Sequence, residues 1–131
     1  MIIRPPFLVP GDGVAIVAPA SMINPAYVKG AAERLASWQL GVAVSPHCLG
    51  RSGVYSGTID ERLDDFRKAL YSPEVKAILC SRGGYGVVHL LDRLADDVAR
   101  NPKWIIGFSD ISALHALCVS QGMMSLHAPM C

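Results

Sequence analysis

The sequence predicts an α/β domain: a mostly parallel, doubly wound sheet with helices on both faces. Three observations carry this. Short apolar runs alternate with longer amphipathic stretches along the whole chain, the pattern of strand–helix–strand units joined by right-handed crossovers. The 131 residues are 51% apolar and 18% charged, enough to bury one core, and that length favours one domain. Two of the apolar runs close on glycine-edged turns, Ser81-Arg82-Gly83-Gly84-Tyr85-Gly86 and Gly107-Phe108-Ser109-Asp110, and each turn opens onto a helical pattern.

The first strand is Val14 to Ala18, after the turn Pro10-Gly11-Asp12-Gly13. A helix from about Pro25 to Gln39 follows, with Tyr27, Ala31, Leu35 and Trp38 at helical spacing and Gly41 as its stop. Val42 to Val44 makes a short second strand. Pro46 to Gly57, rich in Gly and Ser and carrying His47, Arg51 and Tyr55, reads as a long loop of the kind that borders a site. Thr58, with Glu61 three residues on, is a capping-box signature, and Leu63, Phe66 and Leu70 give the next helix its apolar stripe. Pro73 separates that helix from strand three, Val75 to Cys80. A third helix is expected from Gly86 to about Leu94, with Val87, Leu90, Leu91 and Leu94 on one face, before Asn101-Pro102 breaks the chain. Strand four is Trp104 to Gly107, a fourth helix runs from Ile111 to about Gln121, and Ser125 to Ala128 begins a fifth strand.

Charge and cysteines narrow the function classes. The formal net charge is +1, and the basic residues are scattered, among them Lys29, Arg34, Arg51, Arg67 and Arg93, so nothing favours nucleic acid or a membrane surface as a partner. No apolar stretch is long enough to cross a bilayer, and the N-terminal residues do not have the pattern of a secretory signal, which makes the cytoplasm the expected compartment. Cys48, Cys80, Cys118 and Cys131 are widely spaced, with no Cys-x-x-Cys pair; reduced thiols are expected, with no metal and no cofactor.

In an open α/β sheet, ligands collect outside the carboxyl ends of the strands, so the two glycine-edged turns would frame one cleft. Ser109 then faces Gly83 and Gly84. A serine at a tight strand-to-helix turn lifts its hydroxyl clear of the sheet beside backbone N–H groups that favour an oxyanion, which makes Ser109 a candidate nucleophile. The other reading of Ser109 is a helix N-cap. Gly83-Gly84-x-Gly86 either cradles an anion with its amides or makes a tight turn that requires positive φ; it is not a dinucleotide fingerprint, because His89 stands where the third glycine would be. His47, His89, His115 and His127 are the available bases. His115, six residues past Ser109, points away from it on a helix and reads as packing, whereas His127, near a neighbouring strand end, could edge the cleft. Asp110 reads as a first-turn carboxylate, Cys80 as a buried thiol or a second candidate nucleophile, and Arg82 as a carboxylate-binding or a solvent-facing side chain.

Several motifs in order, over the whole chain, resemble the serine LD-carboxypeptidase family, the muramoyltetrapeptide carboxypeptidases and their microcin C immunity relatives. They are Val14-Ala15-Ile16-Val17-Ala18-Pro19-Ala20-Ser21, Gly57-Thr58 with Glu61-Arg62, Ser81 to Gly86, Asn101-Pro102-Lys103, Gly107 to His115 and His127-Ala128-Pro129-Met130. The resemblance implies a glutamine-amidotransferase-like N-terminal domain and a serine protease of peptidoglycan recycling. Its reaction would be hydrolysis of the amide between an L-centre, typically diaminopimelate, and the terminal D-alanine of a murein tetrapeptide, or of an antibiotic conjugate. It implies Ser109 as nucleophile, the backbone N–H groups of Asp110 and Gly84, with Gly83, as oxyanion hole, Arg82 and Tyr85 as substrate contacts, and a homodimer. The triad His and Glu would come from a C-terminal domain absent from residues 1–131. The expectation is therefore an N-terminal domain that is catalytically deficient alone, the alternative being a non-catalytic peptide- or anion-binding domain.

Overall fold

The structure is a computed structural model that describes residues 1–131. Five parallel strands, β1 (Gly13–Val17), β2 (Gly41–Val44), β3 (Val75–Cys80), β4 (Trp104–Gly107) and β5 (Leu126–His127), form one sheet in the order β2-β1-β3-β4-β5. Four helices connect them: α1 (Pro25–Ser37), α2 (Ile59–Tyr71), α3 (Leu91–Arg100) and α4 (Ser112–Ser120). Because β2 and β3 lie on opposite sides of β1, crossovers of one hand put α1 on one face and α2, α3 and α4 on the other. The two apolar clusters follow this division. The larger joins Leu63, Phe66 and Leu70 of α2, Leu94 and Val98 of α3 and Leu114 of α4 to Ala15, Ile78 and Ile105 of the sheet. The smaller packs Val28 of α1 with Ile16, Ala18 and Cys48. Beside α1, that second face is covered in part only, leaving an apolar groove along Leu35, Leu79, Ile106, Leu126 and Met130.

Local chemistry sets the helix ends. The capping box of α2 is present, with the Thr58 hydroxyl accepting from the Glu61 N–H at 3.1 Å and the Glu61 carboxylate accepting from the Thr58 N–H at 3.0 Å. Helix α1 opens on Asn24, whose side chain accepts from the Ala26 N–H, with Pro25 in the first turn. It ends at Ser37, short of the expected Gln39, because Gln39 turns into the left-handed region at φ +64°. Its buried stripe is centred on Val28, with Ala31 and Leu35 half-buried, while Tyr27 and Trp38 of the expected stripe are exposed.

The third helix departs most from expectation. Gly86, at φ +111°, is followed by a single 3-10 turn, Val87–His89, and the α-helix begins at Leu91 and runs to Arg100. Left-handed Gly86 and two β-branched residues keep the chain in a tighter turn there. The helix then continues past Leu94 because Val98 extends the buried face.

Candidate active site

The strand order reverses at β1, so the crevice of the sheet opens beyond the carboxyl ends of β1, β3 and β4. Three segments meet there: Ala18 to Ser21 after β1, the diglycine turn after β3, and Phe108 to Asp110 after β4.

Ser109 is exposed and sits in the left-handed region at φ +61°, at the start of a 3-10 turn, Ser109–Ile111, that leads into α4. That conformation costs a residue with a side chain about 1–3 kcal/mol and persists where the surroundings impose it. The N-cap alternative does not hold: Phe108 occupies the cap position, and no side chain caps the turn. Gly83 lies directly behind the serine. A Cβ at position 83 would stand 3.0 Å from the Ser109 Cβ and 3.1 Å from the Asp110 amide nitrogen, so any side chain there would push the serine elbow back. Gly84, at φ +96°, packs still more closely on the segment after β1, where its Cβ would overlap the Ser21 hydroxyl. Ser21 holds the turn from that side. Its N–H donates to the Gly83 carbonyl at 3.2 Å and its hydroxyl accepts from the Tyr85 N–H at 3.1 Å. The N–H groups of Gly83 and Gly84 donate to no group of the chain.

The Asp110 side chain points away from the serine and accepts from the Val87 N–H at 3.0 Å, tying the serine elbow to the diglycine segment. This contact has no signature in the sequence. Arg82 is exposed and donates to the Met22 carbonyl at 3.0 Å, so it makes no ion pair, and Tyr85 stands exposed at the rim.

None of the histidines is hydrogen-bonded to Ser109. His47 lies against α2, with Nδ1 2.8 Å from Asp65 Oδ1 and Nε2 3.3 Å from Glu61 Oε2; the hydrogen bond to Asp65 raises its pKa above the ordinary histidine value. His89, outside any α-helix, faces Arg62. His115 is a packing residue, as its spacing indicates: Nε2 is 2.8 Å from the Gly107 carbonyl and Nδ1 2.5 Å from the Ser125 hydroxyl. His127 pairs with Gly107 across the sheet edge, its ring against Phe108 and His115. Cys80 is fully buried, and desolvation pushes its thiol far above the ordinary value, so it presents no thiolate to the cleft. All four cysteines are free, and no three His, Cys, Asp or Glu side chains are placed to hold a metal ion. No helix is long and apolar enough to cross a membrane.

Residues 14–128 match the family model described as the LD-carboxypeptidase N-terminal domain. The chain belongs to that family. A Streptomyces coelicolor protein carrying a carboxypeptidase name is 39% identical over 98% of this chain and 44% of its own length. The murein tetrapeptide carboxypeptidase of Pseudomonas aeruginosa is 35% identical over 92% of this chain and 40% of its own. Among solved structures, the microcin C7 self-immunity protein MccF in complex with aspartyl sulfamoyl adenosine superposes with a TM-score of 0.87 at 26% identity, over 99% of this chain and 40% of that one. The chain thus spans less than half the length of the curated relatives it matches.

In the sequence Arg62 stands out only as part of a family motif, and the structure gives it a larger place. It is 1% exposed and donates to the carbonyls of Pro19, Gly57 and Gly86, in three different loops. The available signal was its position four residues before Phe66, on the buried stripe of α2.

Proposed function

We propose that the chain is the nucleophile-bearing domain of a cytoplasmic serine LD-carboxypeptidase that removes the terminal D-alanine from a murein tetrapeptide at its diaminopimelate L-centre during peptidoglycan recycling. The observation that carries this is the exposed, left-handed Ser109 standing against Gly83, beside the Gly83 and Gly84 amides, whose N–H groups donate to no group of the chain. In this reading the Ser109 oxygen attacks the scissile carbonyl carbon while its proton passes to a base. The Gly84 and Asp110 N–H groups hold the oxyanion, and the D-alanine amine leaves protonated. Water then cleaves the acyl-serine and releases the shortened peptide. Arg82 and Tyr85, at the rim, contact the substrate.

The base and its carboxylate belong to a second domain outside these residues, so the chain alone turns over slowly or not at all. The enzyme works as a homodimer. A second reading, hydrolysis of a microcin C-type conjugate, draws on the likeness to MccF, whose ligand in the solved complex is an aminoacyl sulfamoyl nucleotide. Incubating an L,D-tetrapeptide and an aminoacyl sulfamoyl adenosine separately with this chain joined to the C-terminal half of a family member tests both. Release of D-alanine, lost in Ser109→Ala, supports the first reading. Cleavage of the nucleotide conjugate alone supports the second, and cleavage of neither favours a peptide- or anion-binding domain.

A further inference from the structure

Arg62 is a fully buried cation with no carboxylate within ion-pair distance. Buried guanidinium groups are ordinarily paired, and an apolar side chain of similar volume at such a place is often as stable or more so. What Arg62 has that an apolar residue lacks is direction. Its Nε donates to the Gly57 carbonyl at 3.1 Å, and its Nη1 to the carbonyls of Pro19 at 3.0 Å and Gly86 at 2.8 Å. Nη2 is 3.2 Å from His89 Nδ1, and the guanidinium lies over the Tyr55 ring at 4.7 Å. Pro19 lies two residues before Ser21, which touches Gly84; Gly57 precedes the capping box of α2; Gly86 closes the diglycine turn. One rigid planar group therefore fixes three loops that meet at the strand ends. Gly86 shows how tight the fit is, since a Cβ there would stand 2.7 Å from Nη1 and 2.9 Å from the Tyr55 ring.

We infer that Arg62 is the positioning residue of the site: through the Gly86 and Pro19 carbonyls it sets the direction of the Gly83 and Gly84 N–H groups toward Ser109. The inference rests on the proposed nucleophile reading for its catalytic meaning, but the placement of the turn is measurable without any reaction.

The test is the amide spectrum of the 131-residue chain. In Arg62→Ala, the Gly83, Gly84 and Gly86 amide signals should move, while those of Ile78 and Leu94 in the core stay. Millimolar guanidinium, which fits the space left by the side chain, should return them toward their wild-type positions, and equal urea should not. Arg62→Lys, which keeps the charge and can reach fewer of the carbonyls, should displace the same amides in a folded protein and covers the case in which the alanine variant does not fold. Turn amides that stay in place in either folded variant would overturn the inference. So would a displacement spread evenly over the chain that guanidinium does not reverse. In the joined protein the Lys variant should lose at least tenfold in kcat with KM within about threefold. A joined protein inactive even with Arg62 would count against the nucleophile reading and leave the amide result untouched.

Discussion

Gly83 and Ser109 touch across the ends of β3 and β4, so closely that a methyl group on Gly83 would press on the serine Cβ at 3.0 Å. The contact makes the serine's conformation depend on a residue 26 positions earlier in the chain. Gly83→Ala should leave the sheet intact but displace the elbow. Overpacking of this kind costs about 1–3 kcal/mol, and the loss of one aligned oxyanion donor about 10²–10³ in rate. Urea unfolding of the chain and single-turnover kinetics of the joined protein measure the two effects separately.

Gly84 is constrained twice, by its φ of +96° and by the Ser21 side chain where its own Cβ would be. Gly84→Ala should therefore destabilise by about 1–3 kcal/mol. Adding Ser21→Gly should recover part of that loss by removing the overlap, but not the backbone strain. A double-mutant cycle in urea with a coupling near zero would show that the two residues are not in contact.

The Asp110 carboxylate accepts from the Val87 N–H, so its side chain braces the turn, while its amide nitrogen lies against Gly83. Asp110→Asn keeps an acceptor and should change stability by less than about 0.5 kcal/mol, whereas Asp110→Ala should cost about 1 kcal/mol. In the joined protein Asp110→Asn should keep most of its activity. A near-complete loss there, with the fold intact, would assign the carboxylate a part in the chemistry.

His47 is held by Asp65 on one ring nitrogen and faces Glu61 from the other, and its pKa is raised above 6.5, chiefly by the Asp65 hydrogen bond. A raised pKa in the folded state means that the protonated form stabilises the fold. That contribution is full below about pH 6.5, the unfolded value, and disappears as pH climbs through the folded pKa. An NMR titration should show His47 titrating above the ordinary value and falling back toward it in Asp65→Asn. The urea midpoint of the wild type should decline over the same pH range, a decline that His47→Gln removes.

The order of strands and helices was legible because the apolar periods are short and regular, and α2 was legible to its first residue because Thr58 and Glu61 announce it. The boundary at Gly86 was not, because a helical apolar spacing continues through Val87 and Leu90 while the backbone turns left-handed before them. At the site, the approach of Ser109 to the diglycine turn followed from strand ends that share one edge of the sheet. The contacts that fix this approach did not. Ser21 against Gly84, Asp110 to Val87 and Arg62 to the Pro19 and Gly86 carbonyls join residues 23 to 63 positions apart, and no local pattern encodes such pairings.

The central claim is that Ser109 is a nucleophile completed by a base from outside these residues. A fluorophosphonate probe followed by peptide mapping tests it most directly, on this chain and on the chain joined to a family C-terminal domain. The account predicts a covalent adduct on Ser109 in the joined protein, absent in Ser109→Ala and weak or missing in the 131-residue chain. A joined protein that cleaves the tetrapeptide yet carries no adduct at Ser109, or that keeps its turnover in Ser109→Ala, would contradict it.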